Sequence, residues 1–320
     1  MIKKPTTNQS IPQTPDERES LRSAIADYAS QHRLVPPLSM EELRDHATLL
    51  APHPDLVDYA MVLLNNVVWT ETVASIPYAL SRFRKHVVAQ ISEVSFGTQS
   101  LLSGGGTIGI VFAMSLAAAM MLGVETQRGL ELVGMTTVSG MLSAVANTRE
   151  LAPVVVAIAL SAKVGVGFTA QIGAMRISDE VDALDSMGIR SIPFLAATRT
   201  VAAMVCVIPI YMIGLLASYL STRLVVVVFN GASAGAYDYF FHLVLTPQDL
   251  LYSGIKALVF AMVVSLVHCA YGYYASGGPA GVGAAAGRAL RTAILSIGVL
   301  DVLLTFALWG LVPEVPGMGV

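Results

Sequence analysis

From Val94 to Val124 the chain carries no Asp, Glu, Lys, Arg or His. A helix in water is apolar on one stripe only, whereas one crossing a bilayer needs about 20 consecutive apolar residues to span roughly 30 Å of hydrocarbon. No water reaches that layer, so every backbone amide there must be satisfied inside its own helix or in a closed barrel. A run this long without charge therefore predicts a spanning helix. Further apolar stretches follow, and together they predict spans at about 102–124, 140–172, 195–222, 250–274 and 289–311. A hydrophobic fraction of 54% against 13% charged residues over 320 residues agrees with an all-α membrane protein of five transmembrane helices. Gly105 and Gly109 form a small-xxx-small pair in span one, the spacing that lets helices approach closely.

The part before span one reads differently. Residues 1–70 make an amino-terminal extension, partly disordered at its Pro- and Gln-containing start, with short helices where Leu21, Ile25 and Ala29 recur and where Ser39 and Glu42 have capping-box spacing. Its first residues lack the apolar core of a signal peptide. The run 56–69 is interrupted by Asp58, Asn65 and Asn66, which favours an interfacial or packed helix over a span. Over residues 71–95, Ile76, Leu80, Phe83, Val87 and Ile91 repeat at helical spacing opposite Arg82, Arg84, Lys85 and His86. That pattern predicts an amphipathic helix lying on an anionic membrane surface.

Between spans two and three lies a polar interruption with its own design. Ser178 is a candidate N-cap, Asp179, Glu180 and Asp182 place negative charge at the positive end of a helix, and Gly188 supplies a stop. Ile177, Val181 and Leu184 share one face, so residues 176–188 form a short amphipathic rod, begun by Arg176, whose apolar face is expected to bury in a soluble partner. The basic helix before span one, Arg176 and Arg190 around the rod, and Arg288 and Arg291 before span five fall on one side of the membrane, with mainly Arg128 and Arg223 on the other. The positive-inside rule then places the amino terminus and the rod in the cytoplasm and residues 313–320 outside.

Several charges fall within the apolar stretches: Arg149, Glu150, Lys163, Lys256 and Asp301. A charge at mid-bilayer costs about 3 kcal/mol or more unless paired, so these are expected to pair, and Lys256 and Asp301, on consecutive antiparallel spans, to meet directly or through a polar residue. Leu116, Met120 and Met121 on the outer half of span one offer flexible apolar surface for an acyl chain, or else pack against a neighbouring helix.

Other chemistries find little support. A net charge of −3 leaves no basic footprint for nucleic acid. Cys206 and Cys269 are isolated in apolar spans and read as core thiols. Gly231-Ala-Ser233-Ala-Gly235 has the letters of a hydrolase elbow but follows a spanning helix where a strand is required, so it reads as an external loop. No H-E-x-x-H and no phosphate-binding G-x-x-x-x-G-K-[ST] occur, so no catalytic residue and no metal ligand is assigned.

Asn147-Thr-Arg-Glu-Leu-Ala-Pro153, Gly167-Phe-Thr-Ala-Gln-Ile-Gly-Ala-Met-Arg-Ile-Ser-Asp-Glu-Val-Asp-Ala-Leu184 and Ala275-Ser-Gly-Gly-Pro-Ala-Gly-Val-Gly283 resemble the MlaE/YrbE permeases of ABC-type lipid transporters, in particular the B-type YrbE subunit of actinobacterial Mce systems. The similarity runs from about residue 75 to about residue 312, with a permease domain over 96–312. It implies an integral permease of the cytoplasmic membrane that pairs with a homologous A-type permease. It also implies a cytoplasmic ABC ATPase, which binds the ATP and Mg, and Mce proteins outside that conduct lipid across the envelope; this chain would bind no cofactor. The rod becomes the coupling helix. Asp179 stands where the family usually has Glu, Glu125 where Gln is usual, and Thr136 where Glu is common. An ion-coupled secondary transporter using the intramembrane charges, or a membrane scaffold for Mce proteins, are the alternatives.

Overall fold

The computed structural model describes residues 68–96 and 106–310. The readings made of residues 1–67, of Gly105 and of the 313–320 tail lie outside the described residues. After a helical stretch over 68–74 come α1 (Ile76–Arg82), α2 (Arg84–Phe96), α3 (Gly106–Leu132), α4 (Thr136–Ile177), α5 (Glu180–Ser186), α6 (Pro193–Phe229), α7 (Ala234–Val244), α8 (Pro247–Tyr273) and α9 (Gly278–Trp309). No strand occurs among the described residues. Helices α3, α4, α6, α8 and α9 are long and apolar enough to cross a membrane and form spans one to five. The rod α5 joins spans two and three at one end of the bundle, called the rod end; α7 joins spans three and four at the other, the hairpin end.

The spans outlast their apolar stretches. Span one was expected to stop near residue 124 but continues to Leu132, because Glu125 and Arg128 pair along the exposed helix surface at 3.3 Å and need no loop. Span five was expected from 289 but begins at Gly278, after Gly277 with φ 82°. Val282, Ala285, Ala289, Ala293 and Ile297 form its buried stripe, spaced three or four residues apart. The opposite face, with Leu295, Val299 and Leu303, is exposed.

Span three crosses spans one and two at Gly214, where a Cβ would lie 2.9 Å from Val156 Cγ2 and 3.0 Å from Ser115 Oγ. Glycine at this position is what lets the helices approach so closely.

The amphipathic segment before span one is broken. Ser75 and Phe83 interrupt it, and the predicted apolar stripe is split: Val87 is buried while Leu80 and Val88 are exposed, and the buried face also takes Ala79, Gln90 and Val94. A helix lying between a bundle and a lipid surface has two apolar environments, so its apolar residues need not share one face.

At the hairpin end, the expected loop contains helix α7. Ser233 caps it by accepting from Ala236 N at 3.4 Å, and Tyr237, Phe241 and Val244 recur at helical spacing. Arg223 holds Asp238 through two parallel bonds of 2.8 Å, and Tyr237 OH meets Ser143 Oγ at 2.7 Å.

Candidate functional site

Ser178 does not cap the rod. It ends span two, and its hydroxyl has Ala174 O and Glu180 Oε1 as alternative acceptors, each at 3.0 Å. The residue that turns the chain is Asp179, at φ 59° and ψ 14°, whose carbonyl accepts the first rod bond from Ala183 N at 3.0 Å. Asp enters this left-handed region more readily than longer side chains do, which gives a physical reason for Asp at this turn. Gly188, at φ 74°, closes the rod: its N–H donates to Asp185 O at 3.0 Å and Ile189 N–H to Leu184 O at 3.0 Å, the paired bonds of a Schellman ending.

The rod's apolar face is turned the other way from the one expected. Val181 is fully buried within this chain and Leu184 is half-buried, while Ile177 is exposed and belongs to the last turn of span two. An apolar stripe on a seven-residue helix takes the nearest apolar surface, and that surface is its own bundle. Asp182 is also turned back, accepting from Arg176 Nη1 at 2.7 Å. What remains outward is Asp179, Glu180, Ala183, Ser186 and Met187, the last 66% exposed.

Further contacts fasten the rod. Asp185 accepts from Ser191 N and Ser191 Oγ, each at 3.0 Å, and Ser191 Oγ lies 3.1 Å from Tyr273 OH. Arg190 reaches Glu71 at 2.9 Å. Asp185, Ser191, Tyr273 and Glu71 were not singled out from the sequence, since each is an ordinary residue until folding brings four separate elements together.

In the hairpin half of the bundle the intramembrane charges gather. Lys256 Nζ, with no exposed surface, has Asp301 Oδ1 at 2.6 Å, Thr305 Oγ1 at 2.7 Å, Arg149 O at 2.9 Å and Glu150 Oε2 at 3.0 Å. Local sequence explains one partner: Pro153 has no N–H for the carbonyl four residues back, that of Arg149, and Lys256 supplies the donor. Span two forms a π-turn there, Asn147–Leu151, and Ser253 of span four donates to the neighbouring Thr148 O. Arg149 pairs instead with Asp249 at 3.0 Å, and Trp309 Nε1 donates to the same carboxylate at 2.6 Å. Lys163 departs from the expectation of pairing. It sits in a second π-turn, Ser161–Gly165, is exposed, and has no partner among the described residues.

The sequence profile of the family described as Permease MlaE matches residues 96–307, from before span one to the last turn of span five. The chain belongs to the MlaE permease family. It is 27% identical over 207 residues to a probable ABC transporter permease protein of Rickettsia bellii, covering 65% of this chain and 80% of the relative. A probable ABC transporter permease protein of Synechocystis is 26% identical over 230 residues, covering 71% and 82%. Protein TRIGALACTOSYLDIACYLGLYCEROL 1, chloroplastic, of Arabidopsis thaliana is 26% identical over 203 residues, covering 63% of this chain and 58% of that protein, so this match spans less than two thirds of the plant protein's length. This MlaE-family permease is thus a multi-pass membrane component of an ABC transporter, and membership implies an ATPase partner.

In the MlaE-family permease, span one presents Met121 outward at 66% exposure, while Met120 and Leu116 are half-buried, and Leu116 O accepts from Ser221 Oγ at 2.7 Å. Of the three, only Met121 stands fully toward a lipid or a partner. The permease also pins spans two and four with His268, whose ring nitrogens lie 3.0 Å from Ser161 Oγ and 2.9 Å from Thr169 Oγ1. Gly165 makes room for that ring, since a Cβ there would be 2.4 Å from His268 Cδ2. Among the described residues no group of His, Cys, Asp or Glu is arranged to hold a metal ion.

Proposed function

We propose that this chain is the B-type YrbE permease of an Mce lipid transport complex in the cytoplasmic membrane. It pairs with a homologous A-type permease, binds a cytoplasmic ABC ATPase through the rod, and passes lipid to Mce proteins outside. ATP, with Mg, is hydrolysed by the ATPase, and this chain contributes movement rather than chemistry. The observation that carries the reading is the rod: a helix between spans two and three, projecting Glu180 and Met187 while Arg176 and Asp185 bind it to the bundle. A loop with no partner has no need of such fastening. Lipid as cargo is supported by the Arabidopsis relative, which bears the name of a galactolipid. Membership of an ABC permease family sets the ion-coupled reading aside.

The rod variant Glu180→Lys with Met187→Asp tests this. Both side chains are exposed, so insertion and pairing with the second permease should persist. Close interfacial charge pairs couple by about 1.5–7 kcal/mol, so reversing one weakens a micromolar contact at least tenfold. The expected result is loss of the ATPase on copurification with the Mce proteins still present. Retention of the ATPase at wild-type yield moves the weight to the scaffold alternative.

A further inference from the structure

Tyr273 is the last residue of span four, and its buried hydroxyl lies 3.1 Å from Ser191 Oγ. Ser191, itself buried, stands two residues before span three begins at Pro193. A serine hydroxyl has one hydrogen, and that of Ser191 goes to Asp185 Oδ2 at 3.0 Å, so the Tyr273 hydroxyl must be the donor in the bond between them. The bonds run one way, from Tyr273 to Ser191 to the Asp185 carboxylate, and a carboxylate acceptor at the end strengthens such a series. Arg176 Cζ of span two lies 6.0 Å from the Tyr273 ring centroid while its Nη1 holds Asp182 of the rod at 2.7 Å.

The consequence lies in connectivity. The rod is joined covalently to spans two and three, but the chain reaches span four only after crossing to the hairpin end and back. Span four in turn holds span five, through Lys256 and Asp301 at 2.6 Å. Any displacement of the rod reaches spans two and three through the backbone, whereas spans four and five follow it through non-covalent contacts, among which the series from Asp185 through Ser191 to Tyr273 begins on the rod itself.

We propose that Asp185, Ser191 and Tyr273 form the positioning link by which the rod moves span four, and with it span five, when the ATPase changes state. This rests on the docking of the ATPase at the rod proposed above. Tyr273→Phe removes the donor alone and leaves the Ser191 to Asp185 bonds in place. Ser191→Ala breaks the same series one step nearer the rod.

The test uses the assembled complex with its ATPase, reconstituted in vesicles, and spin labels at exposed Leu132 of span one and Leu251 of span four. In the wild type, ATP with Mg should change the distance between the labels. In Tyr273→Phe the population of the moved state should fall roughly three- to tenfold, the effect of one net hydrogen bond, with ATPase binding and hydrolysis retained. Ser191→Ala and the double variant should fall by the same factor, because removing two links of one series costs no more than removing one. A wild-type distance change in Tyr273→Phe overturns the proposal, as do losses that add in the double variant or a wild type that shows no change. A photo-crosslinker at Met187 separates the two readings: capture of the ATPase with an unaltered distance change rejects the link alone, and no capture rejects the docking of the rod as well.

Discussion

Lys256 Nζ of span four lies 2.6 Å from Asp301 Oδ1 of span five, and it is the one cation among four surrounding oxygens. The ammonium has three hydrogens, and Arg149 O, Glu150 Oε2 and Thr305 Oγ1 are aligned to take them. Asp301 is then held chiefly as a neighbouring charge. Thr305 donates to Glu150 Oε1 at 2.7 Å, so both carboxylates are anchored around a single lysine.

Replacing that lysine should be among the most damaging single changes in the bundle. Lys256→Met leaves Glu150 and Asp301 close together without a cation, and removing one partner of a buried ion pair costs about 3–5 kcal/mol. Thermal unfolding in detergent should show a large loss. The triple variant Lys256→Met, Glu150→Gln, Asp301→Asn should recover most of it, since neutral partners need no counter-charge. An unchanged unfolding temperature for Lys256→Met alone would exclude a structural role for the cluster.

Two glycines should respond oppositely to alanine. At Gly140 a Cβ would sit 2.1 Å from Tyr237 O, and a backbone atom of α7 cannot swing aside. Gly140→Ala is expected to cost about 1–3 kcal/mol by overpacking and to loosen the hairpin end, visible as faster amide exchange in α7. Gly167 has nothing within 4 Å, so Gly167→Ala should stabilise span two by about 0.5–1 kcal/mol.

His86 makes the packing of α2 sensitive to acid. Burial first, and then the Arg199 guanidinium, hold its pKa below the usual 6.5, while Glu93 pulls the other way. The neutral ring stacks on Phe194 with centroids 4.6 Å apart. Because the folded pKa of this base is depressed, the unfolded chain binds the proton first, so stability is fully present above 6.5 and declines as the pH falls from there toward the folded pKa. The unfolding temperature of the wild type should therefore drop between about pH 7 and pH 5 more steeply than that of His86→Phe. Parallel curves would remove His86 as the cause.

Sidedness can be read from two introduced thiols. Arg82, Arg84, Lys85, Arg288 and Arg291, with no ion-pair partner among the described residues, lie toward the rod end, whereas Arg128 and Arg223 toward the hairpin end are paired with Glu125 and Asp238. With the rod end cytoplasmic, an impermeant reagent added outside should label Tyr239→Cys on α7 and not Ser186→Cys on the rod. The native Cys206 and Cys269 are buried and should give little background. The reverse pattern would invert the topology.

The spans and the rod were legible in the sequence because each rests on a local regularity. Apolar length sets a spanning helix, and a Gly at position 188 marks the rod's end whatever surrounds it. Helix α7 was passed over because Gly231, Ser233 and Gly235 gave its start the composition of a loop, although Ser233 was the cap. The direction of the rod's apolar face was misjudged for a different reason: periodicity says which residues share a face and nothing about which body that face meets.

What the amino-acid sequence determined by itself was the membrane class, the number of spans, the place of the rod and the family, all of which depend on residues near one another in the chain. What only the tertiary structure decided was partnership. Lys256 meets Asp301 and Glu150 while Lys163 meets no described residue, and Tyr273 reaches Ser191 from 82 positions away. Charge and hydrogen bonding act over a few ångströms of space, and distances that short between remote residues are set by how the helices pack, which no single stretch of sequence contains.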